Sequence, residues 1–304
     1  MKELPMRFVT SMDLIPLQVY SVGSDHQRAT HRPVGFSATQ VFITLSGSGR
    51  FRINENNDLV VKKNQALIIY EGVPHEYFPI TEEPWIVGWI SFRGASVSTM
   101  LTSMNFHNGE LLLFNHFEQL WKLVEQIWLL AKTNSTEELW EISKLLYSFL
   151  LELRKQTTSF SRQTPKVNDA IPCKAILDHV TNILREHYTQ PLQLSEVIKS
   201  SGYSHQHINR LSRQFYGVTL NQYLQNLRIL HAVDLIERNK HITLSEIAED
   251  LGMDKRYFTR FFKKNMGIST GEFKRVAQTL PEQERAARML AGELLPGEGV
   301  LGKT

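Results

Sequence analysis

The sequence predicts a multidomain α+β chain, with an antiparallel sheet or small barrel and trailing helices in its first half and an all-α second half. Three observations predict this. From about Val34 to Phe92, short apolar runs alternate with turn residues, as strands do. From Phe117 to Lys155 the apolar period lengthens to about 3.6, as in helices. Beyond residue 172 the chain is helical in pattern up to about Thr279 and repeats itself at an offset of 50 residues. A length of 304 residues leaves room for two domains with a core each.

In the first half QVFITL, RFRI and LVV read as strands, separated by SGSG and NENND. Gly47 and Gly49 punctuate one hairpin and Asn56, Asn57 and Asp58 another. Farther on, Leu139, Ile142, Leu146, Phe149 and Leu153 fall at three- and four-residue steps and draw one stripe down a helix. Such a stripe is core, or a seam between two copies of the chain. The polar, proline-closed stretch TTSFSRQTPKVNDAIP reads as a linker. The expected organisation is therefore a first domain over 1–155, a linker over 156–171, a helical domain over 172–280 and a C-terminal extension over 281–304.

Bulk properties exclude several classes. The net charge is only +3, so any surface for a polyanion must be local, and residues 172–280 carry 15 Lys and Arg against 10 Asp and Glu. One cysteine, Cys173, rules out an intramolecular disulfide framework and a multi-cysteine zinc site. The N-terminus lacks a signal-peptide apolar region, and no apolar run approaches the roughly 20 residues that cross a bilayer; a cytoplasmic location and no membrane partner are expected. His26, His31 and His75 lack the spacing of a metal site. No catalytic residues, metal or cofactor are therefore expected, and the chain does not read as an enzyme.

The repeat places LSEVIKSSGYSHQHINRLSRQFYG (194–217) over LSEIAEDLGMDKRYFTRFFKKNMG (244–267). Leu, Ser and Glu coincide at 194–196 and 244–246, as do Gly202 with Gly252, Arg210 with Arg260 and Gly217 with Gly267. Each copy has the grammar of a helix-turn-helix. Ser195 or Ser245 stands as an N-cap or first-turn residue, a glycine supplies a positive φ, and Ser204 or Asp254 can cap a second helix with a polar, basic outer side. Such a helix fits the major groove, where Arg reads guanine, Asn or Gln reads adenine, and Lys neutralises phosphate. Between the copies, residues 221–238 read as an amphipathic rod about 27 Å long. That length can set two recognition helices about one DNA turn, roughly 34 Å, apart on one face.

IAEDLG (247–252), YFTRFFKKNMGIS (257–269) and the pattern Tyr223, Leu224, Arg228, Ala232, Leu235 resemble the DNA-binding domain of AraC/XylS-type bacterial transcription regulators. Departures are Ile198 in place of a small alanine, Ser212 in place of Phe, a turn from Gly252 to Phe258 one residue shorter than usual, and Thr270 and Phe273 in place of Pro and Tyr. The resemblance implies base reading by Gln206, Asn209 and Arg210 in the first unit and by Lys255, Arg256, Thr259 and Arg260 in the second. Lys263 and Lys264 are then phosphate neighbours or solvated ends.

The segments RPVGFSATQVFITLSGSG (32–49), GVPHEY (72–77) and EPWIVGWISFRG (83–94) resemble the cupin-like sensor barrel of the arabinose-responsive members. That likeness puts Arg32, Tyr77 and Trp89 at sugar-contacting positions; the bland alternative is that the aromatics only fill the barrel. It implies a homodimeric, operator-binding regulator controlled by a small molecule, a sugar in the leading case, with RNA polymerase as a partner if it activates. The segment 6–20 is a candidate arm over the pocket. Two other functions stay open: a barrel serving only dimerisation or partner-protein binding, and a metal-dependent cupin enzyme.

Overall fold

The computed structural model of the chain describes residues 4–9, 12, 14–54, 57–133, 135–158, 170–239 and 241–279. Most of the expected linker and all of the expected extension over 281–304 lie outside the described residues. The chain divides into two compact units, one comprising Met1–Arg28, Ala38–Glu71 and Tyr77–Asp178, the other Ala29–Ser37, Gly72–Glu76 and His179–Thr304.

The first half contains strands β1 (Arg7–Phe8), β2 (Gln18–His26), β3 (Thr30–Arg32), β4 (Thr39–Ser46), β5 (Ser48–Asn54), β6 (Asn57–Lys62), β7 (Gln65–Ile69), β8 (His75–Pro79) and β9 (Ile86–Arg93). Helix α1 (Val97–Ser103), strand β10 (Glu110–Leu113) and helices α2 (Phe117–Leu130) and α3 (Thr136–Thr158) follow. The strands form a six-stranded sheet ordered β1-β2-β9-β4-β7-β10 and a four-stranded sheet ordered β3-β8-β5-β6. The ladders β1/β2, β2/β9, β4/β9, β4/β7, β7/β10 and β5/β6 are all antiparallel. The expected barrel is open rather than closed. The edges of the larger sheet are taken by the two-residue β1 and by β10, so it ends there instead of pairing into the smaller one.

Alternation along β4 and β9 puts Val41, Ile43, Ile90 and Phe92 on one face and Gln40, Phe42, Trp89 and Ser91 on the other. Helix α2 covers the first of these. A Cβ on Gly88 would stand 2.4 Å from the Trp121 ring, so the bare glycine lets the indole lie on the backbone. In α3 the stripe Leu139, Ile142, Leu146, Phe149 and Leu153 is buried and is core. Trp140, Tyr147 and Leu151 of the same helix are exposed instead. The N-terminal arm runs along β2, pairing Arg7 with Val22 and Phe8 with Ser21.

The helical half contains α4 (Ala170–His187), α5 (Leu194–Ser200), α6 (His205–Tyr216), α7 (Leu220–Arg238), α8 (Leu244–Asp250), α9 (Lys255–Met266) and α10 (Thr270–Thr279). Both expected helix-turn-helix units form, as α5–α6 and α8–α9. Their turns use Gly202 (φ 76°) and Gly252 (φ 60°), a left-handed backbone that only glycine adopts without strain. The serines of the shared Leu-Ser-Glu motif lie inside the first turn. The N-caps are Gln193, which makes no side-chain cap, and Thr243, which closes a capping box with Glu246.

Helix α7 corrects the amphipathic expectation. Leu220, Tyr223, Leu224, Asn226, Leu227, Ile229, Leu230, Ala232, Val233 and Ile236 are all buried, which takes in most of its circumference. Its second half enters one core with Ile247, Leu251, Phe258, Phe262, Met266 and Phe273. Phe262 meets Phe258 at 5.8 Å and Phe273 edge-on at 5.7 Å, so aromatic packing fixes the roll of α9 about its axis.

Candidate nucleic-acid interface and sensor site

Helix α9 starts where Asp254 accepts hydrogen bonds from the Arg256 and Tyr257 N–H groups, at 2.9 and 3.1 Å. It stops at Gly267, whose φ of 71° carries the chain out of the helix. Phe258, Phe261, Phe262 and Met266 occupy its inner stripe. At 100° per residue the opposite side carries Arg256 and Arg260 at its centre, with Lys263 and Lys264 continuing it. Lys255, Arg256, Thr259, Arg260, Lys263 and Lys264 are all exposed. Among the described residues none of Lys255, Arg256, Arg260 and Lys264 is ion-paired with a carboxylate, so this face carries uncompensated positive charge. Lys263 also acts on Glu272, whose carboxyl is held below its usual range chiefly by the Ser269 hydroxyl.

Helix α6 repeats the arrangement. Ser204 accepts from the His207 N–H at 3.2 Å, Gly217 ends the helix at φ 75°, and Ile208, Leu211 and Tyr216 face inward. Gln206 and Arg210 are exposed on the outer side. Asn209 is half-buried: its Oδ1 accepts from the Leu220 N–H at 3.0 Å and its Nδ2 donates to the His205 carbonyl at 3.2 Å. Thr259, at the equivalent place in α9, donates to the Lys255 carbonyl at 2.9 Å. Gln206, Arg256 and Arg260 project outward from their helices, and Arg210 does so with its Nη2 3.4 Å from His207 Nδ1.

Sequence reading passed over other residues on these faces. His205, Arg213 and Gln214 are exposed on α6. Tyr257 is exposed on α9 and stacks parallel to Phe261 at 6.2 Å, a pair that the four-residue spacing would have flagged.

In the first unit, Tyr77 is buried and packs against Phe42 (5.6 Å), Phe51 (4.9 Å) and Trp85 (6.0 Å). Trp85 donates its indole N–H to Thr44 Oγ1 at 3.3 Å. Trp89 lies opposite Phe42 in one ladder and Gly23 in the other. It is 7% exposed, and its Nε1 has no acceptor among the described residues. Two residues along the same face, Ser91 Oγ takes hydrogen bonds from Gln40 Nε2 at 3.2 Å and Ser21 Oγ at 3.1 Å, giving a buried polar group beside the aromatic one. The arm reaches this face too: the backbone of Leu4 and Met6 comes within 2.9 Å of where a Gly23 Cβ would sit.

Arg32 falls in the other unit. It is 1% exposed and its guanidinium lies over the Phe36 ring at 4.6 Å. In the same unit His75 is lowered to about 3 by burial first and by the Arg32 charge second, which keeps the imidazole neutral. Its Nδ1 lies 2.8 Å from the Val73 carbonyl. Among the described residues no group of three or more His, Cys, Asp or Glu is placed to hold a metal, and no helix is long and apolar enough to cross a membrane.

A sheet-rich sensor half joined to two helix-turn-helix units, each with a bare cationic or polar outer face, defines a two-part DNA-binding regulator. The chain belongs to the AraC family of transcription regulators: residues 18–150 match the AraC-like ligand binding domain and residues 197–276 the helix-turn-helix domain. It is 23% identical to the lactose operon transcription activator of Staphylococcus xylosus, over 79% of this chain and 84% of that one. It is 28% identical to the HTH-type transcriptional regulator YfiF of Bacillus subtilis, over 44% of this chain, and the match spans only 42% of that protein's length. The crystal structure of unsaturated-fatty-acid-bound ToxT from Vibrio cholerae aligns with 85% of this chain and 94% of its own, at 13% identity and a TM-score of 0.48.

Proposed function

We propose that this regulator reads two adjacent major-groove segments with the outer faces of α6 and α9, and that a small polyhydroxylated ligand in the N-terminal half controls it. The observation that carries the DNA assignment is the duplicated pair of projecting side chains, Gln206 and Arg210 on α6, Arg256 and Arg260 on α9. Arg210 and Arg260 take the bidentate guanine role, Gln206 and Arg256 contact bases beside them, and Lys263 and Lys264 supply sequence-blind attraction to phosphate. Lys255 serves the N-terminal end of α9, and Asn209 and Thr259 hold the helices in shape.

For the ligand, the unmatched indole N–H of Trp89 beside the buried Ser21, Gln40 and Ser91 supports a neutral molecule with hydroxyl acceptors and an apolar face. Tyr77 borders that site through the aromatic cluster. The lactose operon relative supports a sugar. Ligand control is then a linkage, because the molecule shifts the protein only by binding two arrangements unequally.

The exposed row Trp140, Tyr147 and Leu151 on α3 supports a homodimer that buries it, in place of the stripe that is spent on the core. The regulator acts in the cytoplasm as a non-enzyme and, as an activator, meets RNA polymerase. The domain limits remain those read from the sequence, 1–155 and 172–280. Titration calorimetry of wild-type protein against lactose, L-arabinose, D-xylose and L-rhamnose tests the sensor. At least one should bind, and Trp89→Ala should abolish that binding without unfolding the protein. Undiminished binding by the variant, or no heat from any sugar, contradicts the assignment.

A further inference from the structure

Two short N-terminal segments, 29–37 and 72–76, belong to the same compact unit as the helical half. They lock onto each other. The Gly72 N–H donates to the Phe36 carbonyl at 3.0 Å, and the Gly35 N–H to the Arg32 carbonyl at 3.1 Å. A Cβ on Gly35 would sit 2.5 Å from the Gly72 carbonyl carbon, and both glycines hold left-handed backbone, at φ 81° and 73°. The loops therefore touch only because Gly35 has no side chain, and both glycines are needed for their left-handed backbone.

This loop pair meets the middle of α7. Asn226, 7% exposed, donates from Nδ2 to the Gly72 carbonyl at 3.1 Å. A Cβ on Gly72 would stand 3.0 Å from Leu227 and 3.4 Å from Tyr223, both fully buried. A polar side chain on so buried a helix is costly unless it is bonded, and this bond is the one that Asn226 makes to the loops. On either side of it α7 holds the two DNA-facing units. The Leu220 N–H is accepted by Asn209 of α6, and Ile229, Ala232, Val233 and Ile236 share a core with α9. The same loop pair carries Arg32 over Phe36 and the neutral His75.

We propose that Asn226 is a positioning residue that couples the Arg32 and His75 loop pair to α7, so that DNA engagement by α6 and α9 and the packing of these loops stabilise one another. This rests on the reading of α6 and α9 as the DNA-facing helices. Coupling is reciprocal: whatever repacks the loops shifts DNA affinity, and DNA tightens the loops by the same factor.

The test is amide hydrogen exchange on the full-length chain, free and bound to a duplex that the wild-type protein enriches from a random pool. In wild type the duplex should slow exchange in residues 72–76 by at least about fivefold, the lower end of ordinary site-to-site coupling. Asn226→Ala, and Asn226→Leu, which keeps nearly the same size but has no donor, should still bind the duplex and keep α9 protected while losing that slowing. Equal slowing in all three proteins, or unchanged or faster exchange in wild type, overturns the coupling while leaving the DNA assignment intact. Failure to enrich any duplex overturns the DNA assignment itself, and this proposal with it.

Discussion

Replacing Arg260 with alanine should move stability and DNA affinity in opposite directions. Arg260 is exposed, lies opposite the Phe258, Phe261, Phe262 and Met266 stripe, and follows Arg256 and precedes Lys264 by one four-residue step each. Like charges at that spacing each destabilise a helix by about 0.2–0.5 kcal/mol, so removing Arg260 relieves two such pairs. Alanine is also the better helix former. The fold should therefore be unchanged or up to about 1 kcal/mol more stable in urea titration. A bidentate arginine–guanine contact discriminates by about 1–3 kcal/mol, so affinity for a selected duplex should fall by about 5- to 150-fold in a gel-shift titration, with base preference relaxed at one position. Lys263→Ala is the control. It should weaken all duplexes alike and lower the slope of log affinity against log salt by about 0.9. If Arg260→Ala binds the selected duplex as tightly as wild type, or loses affinity only because it unfolds, the assignment of α9 is wrong.

Other expectations follow from the caps and from the buried histidine. Asp254→Ala removes the acceptor for the Arg256 and Tyr257 N–H groups and should cost about 1 kcal/mol of unfolding free energy; an unchanged urea midpoint would contradict its role at the start of α9. His75, lowered to about 3 in the fold against an ordinary value near 6.5, takes up a proton on unfolding between those two pH values. Its contribution to stability is present above about pH 6.5 and is lost as pH falls toward 3. From pH 7.5 to 5.5 that loss is about 1.4 kcal/mol, and His75→Gln should lack it; parallel pH profiles for variant and wild type would show that the imidazole is not held neutral.

What was legible in the sequence was mostly local. Alternation marked β4 and β9, the 3.6-residue period marked α3, and the 50-residue repeat marked both helix-turn-helix units together with the glycines and the Ser204 and Asp254 caps. Thr243 and Glu246 form a capping-box pattern readable in the sequence, with Ser245 inside the first turn. What was not legible depends on contacts between distant residues. Asn226 looks like a solvent-side residue of an amphipathic rod until Gly72, far away in the chain, supplies its acceptor. That Asn209 also accepts the Leu220 N–H, at the start of the next helix, depends on how α6 and α7 pack. Ser212, at a place the family fills with Phe, is fully buried yet satisfied because its hydroxyl donates to the Val218 carbonyl at 2.7 Å. Whether the sheets close into a barrel is decided by the edge strands β1 and β10, and two- and four-residue strands leave little periodic signal.

The central claim is that one chain reads two major-groove segments with two different helices. Guanine-methylation interference on a selected duplex, with wild-type, Arg210→Ala and Arg260→Ala proteins, tests it most directly. The account predicts two groups of interfering guanines about one helical turn, roughly 34 Å, apart, with Arg210→Ala erasing one group and Arg260→Ala the other. A single group, or both variants erasing the same guanines, would contradict it.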